Sequence, residues 1–344
     1  MNKIQKDDIQ AFAKNFELKE NIAGSKFLIT GATGLIGSTL AHCLLALDCK
    51  IKITCPIRNL EKARTIYGDK FEGINFIETD LLEYLANLSS HDNFDHIIHC
   101  ASPTEGKYMT AHPVETYALA IGSTCSLLRF AKQSGIRGMV YVSSLEYYGQ
   151  NLDDNVIVED FQGHIDMNSP RSSYPMGKRA AEYLCTAYAE EFNVPVKIAR
   201  LTQTFGAGIA KDDNRVFAQF AKSIVKGQDI VLHTTGESAK PYCYTTDCIS
   251  GILYILLKGH NGEAYNVANP ETYISIRQLA EYLCKEFNPN VKVVTELDST
   301  LGYAPVTRLR LSSDKLMGLG WRPQLKLYDM FYNLIESVKY ENNN

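Results

Sequence analysis

The sequence lacks the features that define several common classes of protein. No stretch approaches the roughly 18 apolar residues of a membrane span, and residues 1–20 are polar and mixed in charge, without a signal-like apolar run. Basic stripes are absent and the formal net charge is −4, so charge gives no reason to expect a nucleic-acid partner. We therefore expect neither membrane insertion nor nucleic-acid binding.

Paired cysteines and metal-ligand clusters are also absent. The nine cysteines form no Cys-x-x-Cys pair, and several lie in apolar runs where a thiol packs as a small core residue. His96 and His99 are spaced so that a strand would turn them to opposite faces. We predict a reduced, cytoplasmic protein without a metal site.

What the sequence does contain is a repeating alternation of strands and helices. Lys26–Thr30 is strand-like, a glycine-rich turn follows, Leu35–Ala46 is helix-like, and Lys50–Ile57 is strand-like again. Similar apolar runs continue as far as Val196–Leu201. The pattern predicts an α/β fold with a Rossmann-type, doubly wound parallel sheet.

The alternation weakens beyond Thr202, which predicts a smaller C-terminal α/β substrate lobe interleaved with the first domain. We expect an N-terminal extension at 1–24 and a dinucleotide-binding domain at 25–201, to which 241–268 returns. The substrate lobe would comprise 202–240 and 269–340.

A glycine-rich loop joins the first predicted strand to the first predicted helix with the spacing G-x-x-G-x-x-G. Glycines permit the tight turn and the approach of a pyrophosphate, while the helix N-terminus supplies amide donors. A glycine-rich turn without a ligand is the alternative. The residues expected to contact a dinucleotide here are Gly31, Thr33, Gly34, Leu35, Ile36 and Gly37.

The end of the second strand bears on the choice of cofactor, NAD or NADP. No acidic residue stands there to bind ribose hydroxyls, and Arg58 would hold a 2′-phosphate, stack on adenine or remain solvated. The choice stays open, with a modest tilt to NADP. Asp80, followed by Leu81, would accept from the adenine amino group, cap a helix, or do both.

Tyr174 and Lys178 stand four residues apart in a helix-like stretch, which places phenol and ammonium on one face. A neighbouring cation favours the phenolate, the form that takes a proton from a hydroxyl as hydride leaves its carbon. The pair alone is equally typical of an exposed helix surface. Ser144, directly after a strand-like run, adds a hydroxyl where open α/β sheets bind ligands.

Together these residues resemble the extended short-chain dehydrogenase/reductases of the nucleotide-sugar epimerase/dehydratase group, from about Lys26 to Tyr340. Within the group, several segments look like those of the UDP-glucuronate decarboxylases. These segments are His99-Cys100-Ala101-Ser102-Pro103, Tyr108-Met109, Ser169-Pro170-Arg171-Ser172-Ser173-Tyr174, Gly177-Lys178-Arg179 and Thr204-Phe205-Gly206.

The resemblance implies roles for individual residues. Ser144, Tyr174 and Lys178 would form the catalytic triad, with Lys178 also holding the nicotinamide ribose, and Ala101 and Ser102 would line the cofactor. Three further residues fall in regions where the family binds the nucleotide diphosphate, namely Arg215, Tyr244 and Arg308. The resemblance also implies a homodimer, formed through the apolar helices at 117–130 and 180–188.

The departures from the family pattern bear on the reaction. Leu145 replaces the Asp of dehydratases and the Ser of decarboxylases, Lys240 replaces a decarboxylase arginine, and Gln203 replaces a substrate-contacting Asn. Glu146 is present where both groups have a glutamate, and would be a base, a bystander or a structural hydrogen-bonding group.

We therefore expect an enzyme that oxidises a hydroxyl of a nucleotide-diphosphate sugar and reduces the ketone again, epimerase-like at C4. The alternatives are a decarboxylase or dehydratase, an NADPH-dependent reductase of a keto sugar, and a dinucleotide-sensing protein without activity.

Overall fold

The computed structural model describes residues 1–89, 91–103, 105–298 and 305–342. The strands are β1 (Lys26–Thr30), β2 (Lys52–Ile57), β3 (Asn75–Glu78), β4 (His96–His99), β5 (Gly138–Ser144), β6 (Val156–Ile157), β7 (Val196–Leu201), β8 (Gln203–Phe205), β9 (Ile230–Leu232), β10 (Ala239–Tyr244), β11 (Ala264–Val267), β12 (Asn269–Ser275), β13 (Val293–Thr295) and β14 (Arg310–Leu311). The helices are α1 (Lys3–Asn15), α2 (Leu35–Ala46), α3 (Leu60–Tyr67), α4 (Leu81–Ala86), α5 (Gly106–Ala111), α6 (Pro113–Ser134), α7 (Ser173–Phe192), α8 (Val216–Lys226), α9 (Thr245–Lys258), α10 (Ile276–Phe287), α11 (Asp314–Gly318) and α12 (Leu327–Asn342).

A seven-stranded sheet with the order β3-β2-β1-β4-β5-β7-β11 forms the centre of the molecule. Every neighbouring pair in it is parallel. The chain moves outward from β1 to β3 and then crosses to β4 on the other side of β1. The carboxyl ends of β1 and β4 therefore flank the crevice in which such sheets bind ligands, as the predicted Rossmann-type fold requires.

The sheet is covered by apolar packing on both faces, which explains why its strands are nearly continuous apolar runs. In β1, Phe27 and Ile29 belong to one hydrophobic core and Leu28 to another, because successive side chains of a strand point to opposite faces. All three side chains are completely buried. The strands are thus held in place from both sides.

A second hydrophobic core lies around Phe205, where a three-stranded sheet of order β12-β10-β8 is packed with α8, α10 and α12. We call this part the second lobe. The chain enters it after β7 and returns through α9, which packs on α2 and β5, and through β11, which pairs with β7 in the large sheet. β10 pairs with β8 and β12 instead, so the first residues of 241–268 contribute to the second sheet. The exact domain boundaries stay a prediction.

The two histidines that the sequence analysis considered as a metal pair differ in their surroundings. Both ring nitrogens of His96 are buried without a hydrogen-bond partner among the described residues. His99 uses both ring nitrogens, with Thr30 Oγ1 at 2.7 Å and Ser123 Oγ at 3.0 Å. All nine cysteines are free thiols. Within the described part of the chain, no cluster of metal-binding side chains occurs and no helix has the length and apolar character needed to span a bilayer.

Candidate active site

The glycine-rich loop between β1 and α2 leaves no space for side chains at two of its positions. Gly31 has a φ of +72°, which favours glycine, and a Cβ there would lie 2.8 Å from the backbone nitrogen of Ala101. A Cβ on Gly37 would lie 2.4 Å from the carbonyl oxygen of Gly31. Gly34 is the N-cap of α2, so the first amides of that helix face the loop. This geometry suits the close approach of a pyrophosphate.

The other residues predicted to contact the cofactor surround this loop. Thr33, Leu35 and Ile36 are partly buried at the start of α2, and Ala101 and Ser102 are partly buried just after β4. The Ala101 amide donates to Thr30 Oγ1 at 3.2 Å, which ties the end of β4 to the end of β1.

One support of the loop escaped the sequence analysis. The buried hydroxyl of Tyr67, at the end of α3, donates to the carbonyl oxygen of Ala32 at 2.8 Å. Tyr67 is far from the loop in the sequence, and its neighbourhood carries no glycine-loop signal. The packing of the Tyr67 ring between His42 of α2 and Phe76 of β3 brings the two together.

The residues at the ends of β2 and β3 lie at the edge of the predicted dinucleotide site. Arg58 is exposed directly after β2. Asp80 is the N-cap of α4, where its Oδ1 accepts from the amides of Leu82 and Glu83 at 2.8 and 3.3 Å. The capping role proposed for Asp80 is thus present, and it leaves Oδ2 available to a ligand. Leu81 is partly buried in the first turn of α4.

Ser144, Tyr174 and Lys178 converge at the carboxyl end of β5. Ser144 ends that strand, and Tyr174 and Lys178 lie in the first turns of α7. The Ser144 side chain lies close enough to the Tyr174 phenol to lower its pKa. Lys178 Nζ lies 5.6 Å from the centre of the Tyr174 ring and donates to the Val142 carbonyl oxygen at 2.8 Å. The structure thus brings the three predicted catalytic residues together.

Burial controls the protonation of this group. Burial raises the pKa of the Tyr174 phenol above its ordinary value, and the Glu146 carboxylate raises it further, while the Ser144 hydroxyl and the Arg171 charge oppose the rise. Burial also lowers the pKa of Lys178 to about 8, against the attraction of Glu182. Near neutral pH Lys178 is therefore charged and Tyr174 protonated in the protein alone.

A buried ion pair stands behind Lys178. Glu182, one helical turn further along α7, binds Arg200 of β7 at 2.7 Å and accepts a hydrogen bond from Ser143 at 2.5 Å. Its negative charge opposes the loss of the Lys178 proton. The extended spacing Tyr-x-x-x-Lys-x-x-x-Glu was a signal for this residue that the sequence analysis did not use.

Glu146 lies beside the catalytic group and is held by Arg171, whose Nη2 is 2.8 Å from Glu146 Oε1. The other terminal nitrogen of Arg171, Nη1, is buried and has no hydrogen-bond partner among the described residues. Lys240 of β10 is close enough for its charge to interact with both; burial lowers the pKa of Lys240 and Glu146 opposes the change. The sequence analysis selected Glu146 and Lys240 and missed Arg171 as a site residue.

Leu145, the departure next to Glu146, faces away from this group. It is 2% exposed and packs in a small core that also contains Tyr148, Ile157 and Leu309. The position therefore supplies neither an acid nor a hydroxyl to the site.

Five residues of the second lobe were predicted to bind substrate. Lys240 is the one beside Glu146, and the other four have different surroundings. Gln203 starts β8 beside Tyr242 and is partly buried. Arg215 is exposed and pairs with Asp213 at 2.5 Å. Arg308 forms a β-bridge with Ala239, the residue before Lys240, and its guanidinium pairs with Glu237 at 3.6 Å. These three keep surface that a ligand can reach.

Tyr244 does not have such surface. It is completely buried, and its hydroxyl donates to Asp8 Oδ2 at 2.6 Å and accepts from the Ala207 amide at 3.1 Å. The structure therefore corrects the expectation that Tyr244 contacts substrate directly, because α1 covers the hydroxyl. Nothing in the sequence indicated this role for the N-terminal extension.

A doubly wound sheet with a glycine-rich first turn and a Ser-Tyr-Lys group at the end of β5 defines an oxidoreductase of the short-chain dehydrogenase type. The profile of the NAD dependent epimerase/dehydratase family matches residues 27–268, and the chain belongs to that family. It is a dinucleotide-dependent enzyme, as the sequence indicated. The choice between NAD and NADP stays a prediction.

Comparison with known proteins extends the likeness beyond the matched region. The chain is 26% identical to UDP-glucuronic acid decarboxylase 1 of Danio rerio over 322 residues, which cover 92% of this chain and 72% of the relative. A UDP-glucose 4-epimerase from Thermotoga maritima has a similar fold, with a TM-score of 0.80, 19% identity and coverage of 92% and 99%. A dTDP-glucose 4,6-dehydratase from Bacillus anthracis, solved with NAD, has a TM-score of 0.76, 19% identity and coverage of 93% and 98%.

Proposed function

We propose that this enzyme oxidises one hydroxyl of a nucleotide-diphosphate sugar to a ketone and then reduces the ketone again, in an epimerase-like reaction at C4. The observation that carries the proposal is the convergence of Ser144, Tyr174 and Lys178 at the edge of the sheet that also holds the glycine-rich loop. The relatives named for decarboxylation and for epimerisation of UDP-sugars support the class of substrate.

The residues of the loop would hold a nicotinamide dinucleotide, with its pyrophosphate at Gly31, Gly34 and the amides that begin α2. When bound, that cofactor supplies the acceptor and the donor of hydride. Tyr174, as the phenolate, takes the proton of the sugar hydroxyl during oxidation, is a neutral phenol while the ketone is present, and returns the proton to the ketone oxygen during reduction. Ser144 orients that oxygen. The charge of Lys178, together with the positive charge of an oxidised dinucleotide when bound, would favour the phenolate that starts and ends the cycle.

Epimerisation fits this set of residues because it needs no acid or base beyond Tyr174. The ketone must turn over in the pocket and take hydride back on its other face. Dehydration would need a proton donor for the leaving hydroxyl. The apolar, buried Leu145 stands where the dehydratases have an Asp, and it cannot donate a proton.

A second candidate is the decarboxylation of a sugar acid, favoured by the two cations next to Glu146. The unpartnered Nη1 of Arg171 is a buried donor that a substrate carboxylate would satisfy. Lys240 adds a second positive charge. Once C4 is a ketone, a carboxylate on C5 is lost readily as CO₂, because the ketone accepts the electron pair. The same cations would instead hold the carboxylate in place during epimerisation of a sugar acid.

Incubating the purified enzyme with matched pairs of UDP-, dTDP-, GDP- and CDP-sugars, each as the neutral sugar and its C6 acid, tests the proposal. NMR of the products and a CO₂ assay separate the outcomes. A C4 epimer formed without added reductant supports the first candidate, and a pentose with CO₂ supports the second. Consumption of NADPH in proportion to product would contradict both, since it identifies a reductase. Unchanged sugars throughout would remove the proposal.

We further propose a cytoplasmic homodimer. α6 and α7 pack side by side, and they expose Val114, Tyr117 and Tyr183. Exposed apolar side chains on two adjacent helices are suited to a four-helix interface with a second copy. Sedimentation of the purified protein would show a dimer, and a monomer at micromolar concentration would contradict this.

A further inference from the structure

The N-terminal helix α1 joins the two hydrophobic cores of the molecule. On one side, Phe12 and Phe16 are buried in the core of the large sheet, with Phe16 edge-on to Tyr254 of α9 at 6.2 Å. On the other side, Asn2 donates to Ser337 Oγ of α12 at 2.7 Å. Residues before the family-matched region thus contact both parts of the fold.

Asp8 is the polar centre of this contact. Its Oδ2 accepts from the Tyr244 hydroxyl at 2.6 Å, and its Oδ1 accepts from Asn333 of α12 at 3.2 Å. Burial raises the pKa of Asp8 to about 6, against the effect of the Tyr244 hydrogen bond. Burying a carboxylate costs free energy, and here each of its oxygens accepts a hydrogen bond from a different element of the fold.

The same hydrogen bonds continue to the segment 206–215. The Ala207 amide donates to the Tyr244 hydroxyl at 3.1 Å, and the Gly208 amide donates to Ser337 Oγ at 3.3 Å. Gly208 has a φ of +89°, and a Cβ there would lie 1.7 Å from the Gln5 side chain. The first residues of the segment are therefore held directly against α1.

The position of this segment matters for the site. It follows β8, which begins two residues after Leu201 at the carboxyl end of β7. Leu201 pairs with Ser144 in the large sheet, so the segment starts near the edge at which open α/β sheets bind ligands. It ends at Arg215, the N-cap residue of α8, which keeps exposed guanidinium surface.

We infer that Asp8 is a positioning residue for the nucleotide-sugar site: through Tyr244 and α12 it sets the backbone of 206–215, and so the place of Arg215. The inference deepens the proposed function and rests on it for the identity of the ligand. The positioning itself is a property of the protein alone. It gives Asp8 a role in the affinity for substrate and none in the affinity for dinucleotide.

The test compares Asp8→Ala and Asp8→Asn with Asp7→Asn, an equivalent change at an exposed position of the same helix. Hydrogen exchange of the full-length protein reports on the segment without any ligand. Loss of the buried acceptor leaves the Tyr244 hydroxyl unsatisfied, so we expect exchange at 206–215 to become about ten-fold faster in Asp8→Ala. Exchange in the glycine loop at 31–37 stays at the wild-type rate. Asp8→Asn keeps one acceptor and shows a smaller effect, and Asp7→Asn shows none.

Kinetics provide the second readout. With a sugar nucleotide that the enzyme turns over, Asp8→Ala raises KM about ten-fold, with kcat and the dissociation constant of the dinucleotide within two-fold of wild type. Tyr244→Phe removes the hydroxyl that binds both Asp8 and the Ala207 amide, so it also raises KM. The effect of the double variant is smaller than the sum of the two single effects, because the two residues share the Asp8–Tyr244 hydrogen bond.

Two exchange results would overturn the inference. One is unchanged exchange at 206–215, and the other is an equal increase throughout the chain, which would mean that Asp8 acts only on global stability. Absence of turnover with every sugar nucleotide would instead remove the proposed function, and the exchange experiment would still decide the role of Asp8.

Discussion

The proposed catalytic group of Ser144, Tyr174 and Lys178 differs from the arginines at the edge of the site in how much of its chemistry the protein itself determines. Lys178 is 4% exposed, and its charge is balanced by buried neighbours that include the Glu182–Arg200 pair. Arg58 and Arg215 are exposed, and the nearest partner of Arg215 is a carboxylate two residues away. The protonation of Lys178 follows from the fold, whereas the roles of Arg58 and Arg215 depend on the ligand that binds.

Substitutions in the two regions therefore call for different measurements. A buried titratable group acts through its protonation state, so its replacement alters rate and pH dependence. An exposed arginine contributes a contact to a ligand, so its replacement alters affinity and preference. The following three experiments test this contrast.

Replacement of Tyr174 by Phe has the largest expected effect. It removes the oxygen that moves the proton and keeps the ring in place, so we expect turnover to fall by about 10²- to 10⁴-fold. Dinucleotide affinity should change by less than two-fold. Steady-state kinetics and a titration of dinucleotide fluorescence measure the two quantities. Tyr183→Phe, on an exposed face of the same helix, is the matched control. Turnover within ten-fold of wild type would disprove the role of Tyr174.

Replacement of Lys178 by Met changes the pH dependence of stability. Burial lowers the Lys178 pKa from an ordinary 10.5 to about 8. Between these values the unfolded chain binds more protons, so the contribution of Lys178 to the free energy of unfolding becomes more favourable as pH rises. We expect the free energy of unfolding of the wild type to increase, relative to that of Lys178→Met, by about 3 kcal/mol between pH 7 and pH 10.

Urea unfolding of both proteins at the two pH values measures that difference. Lys70→Met, a change at an exposed lysine, serves as the control and should show no comparable dependence. A constant difference between wild type and Lys178→Met would mean that the Lys178 pKa is close to ordinary.

Replacement of Arg58 by Ala has the smallest expected effect. If Arg58 binds a 2′-phosphate, its loss weakens NADP about ten-fold and leaves NAD affinity within two-fold, since only NADP carries that phosphate. Titrations with both cofactors give the ratio. Arg64→Ala removes another exposed arginine, on α3, and should leave the ratio unchanged. An equal loss for both cofactors would identify stacking on adenine instead.

Residues that carry their signal in local spacing were predicted from the sequence. The glycine loop, the Tyr174–Lys178 pair and the strand end at Ser144 each need only a strand, a turn or a helix of the expected type, which short-range periodicity reports. The predicted order of elements was enough to bring them to one edge of the sheet.

Residues that depend on distant partners were not predicted. Tyr67 supports the glycine loop from another helix, and Arg171 meets Glu146 across a long connection. Tyr244 lies in a region that was expected to bind the nucleotide diphosphate. Its hydroxyl is instead bound to Asp8, which is far away in sequence. Spacing carries no information on such contacts, because they arise only when separate elements pack.

Local pattern and the order of the strands were enough to predict the dinucleotide fold and the meeting of Ser144, Tyr174 and Lys178. The protonation of that group, the cationic surroundings of Glu146 and the burial of Tyr244 under α1 depend on tertiary packing. A pKa, or a free hydroxyl, depends on which atoms exclude water from the group, and those atoms come from parts of the chain that are far apart in sequence.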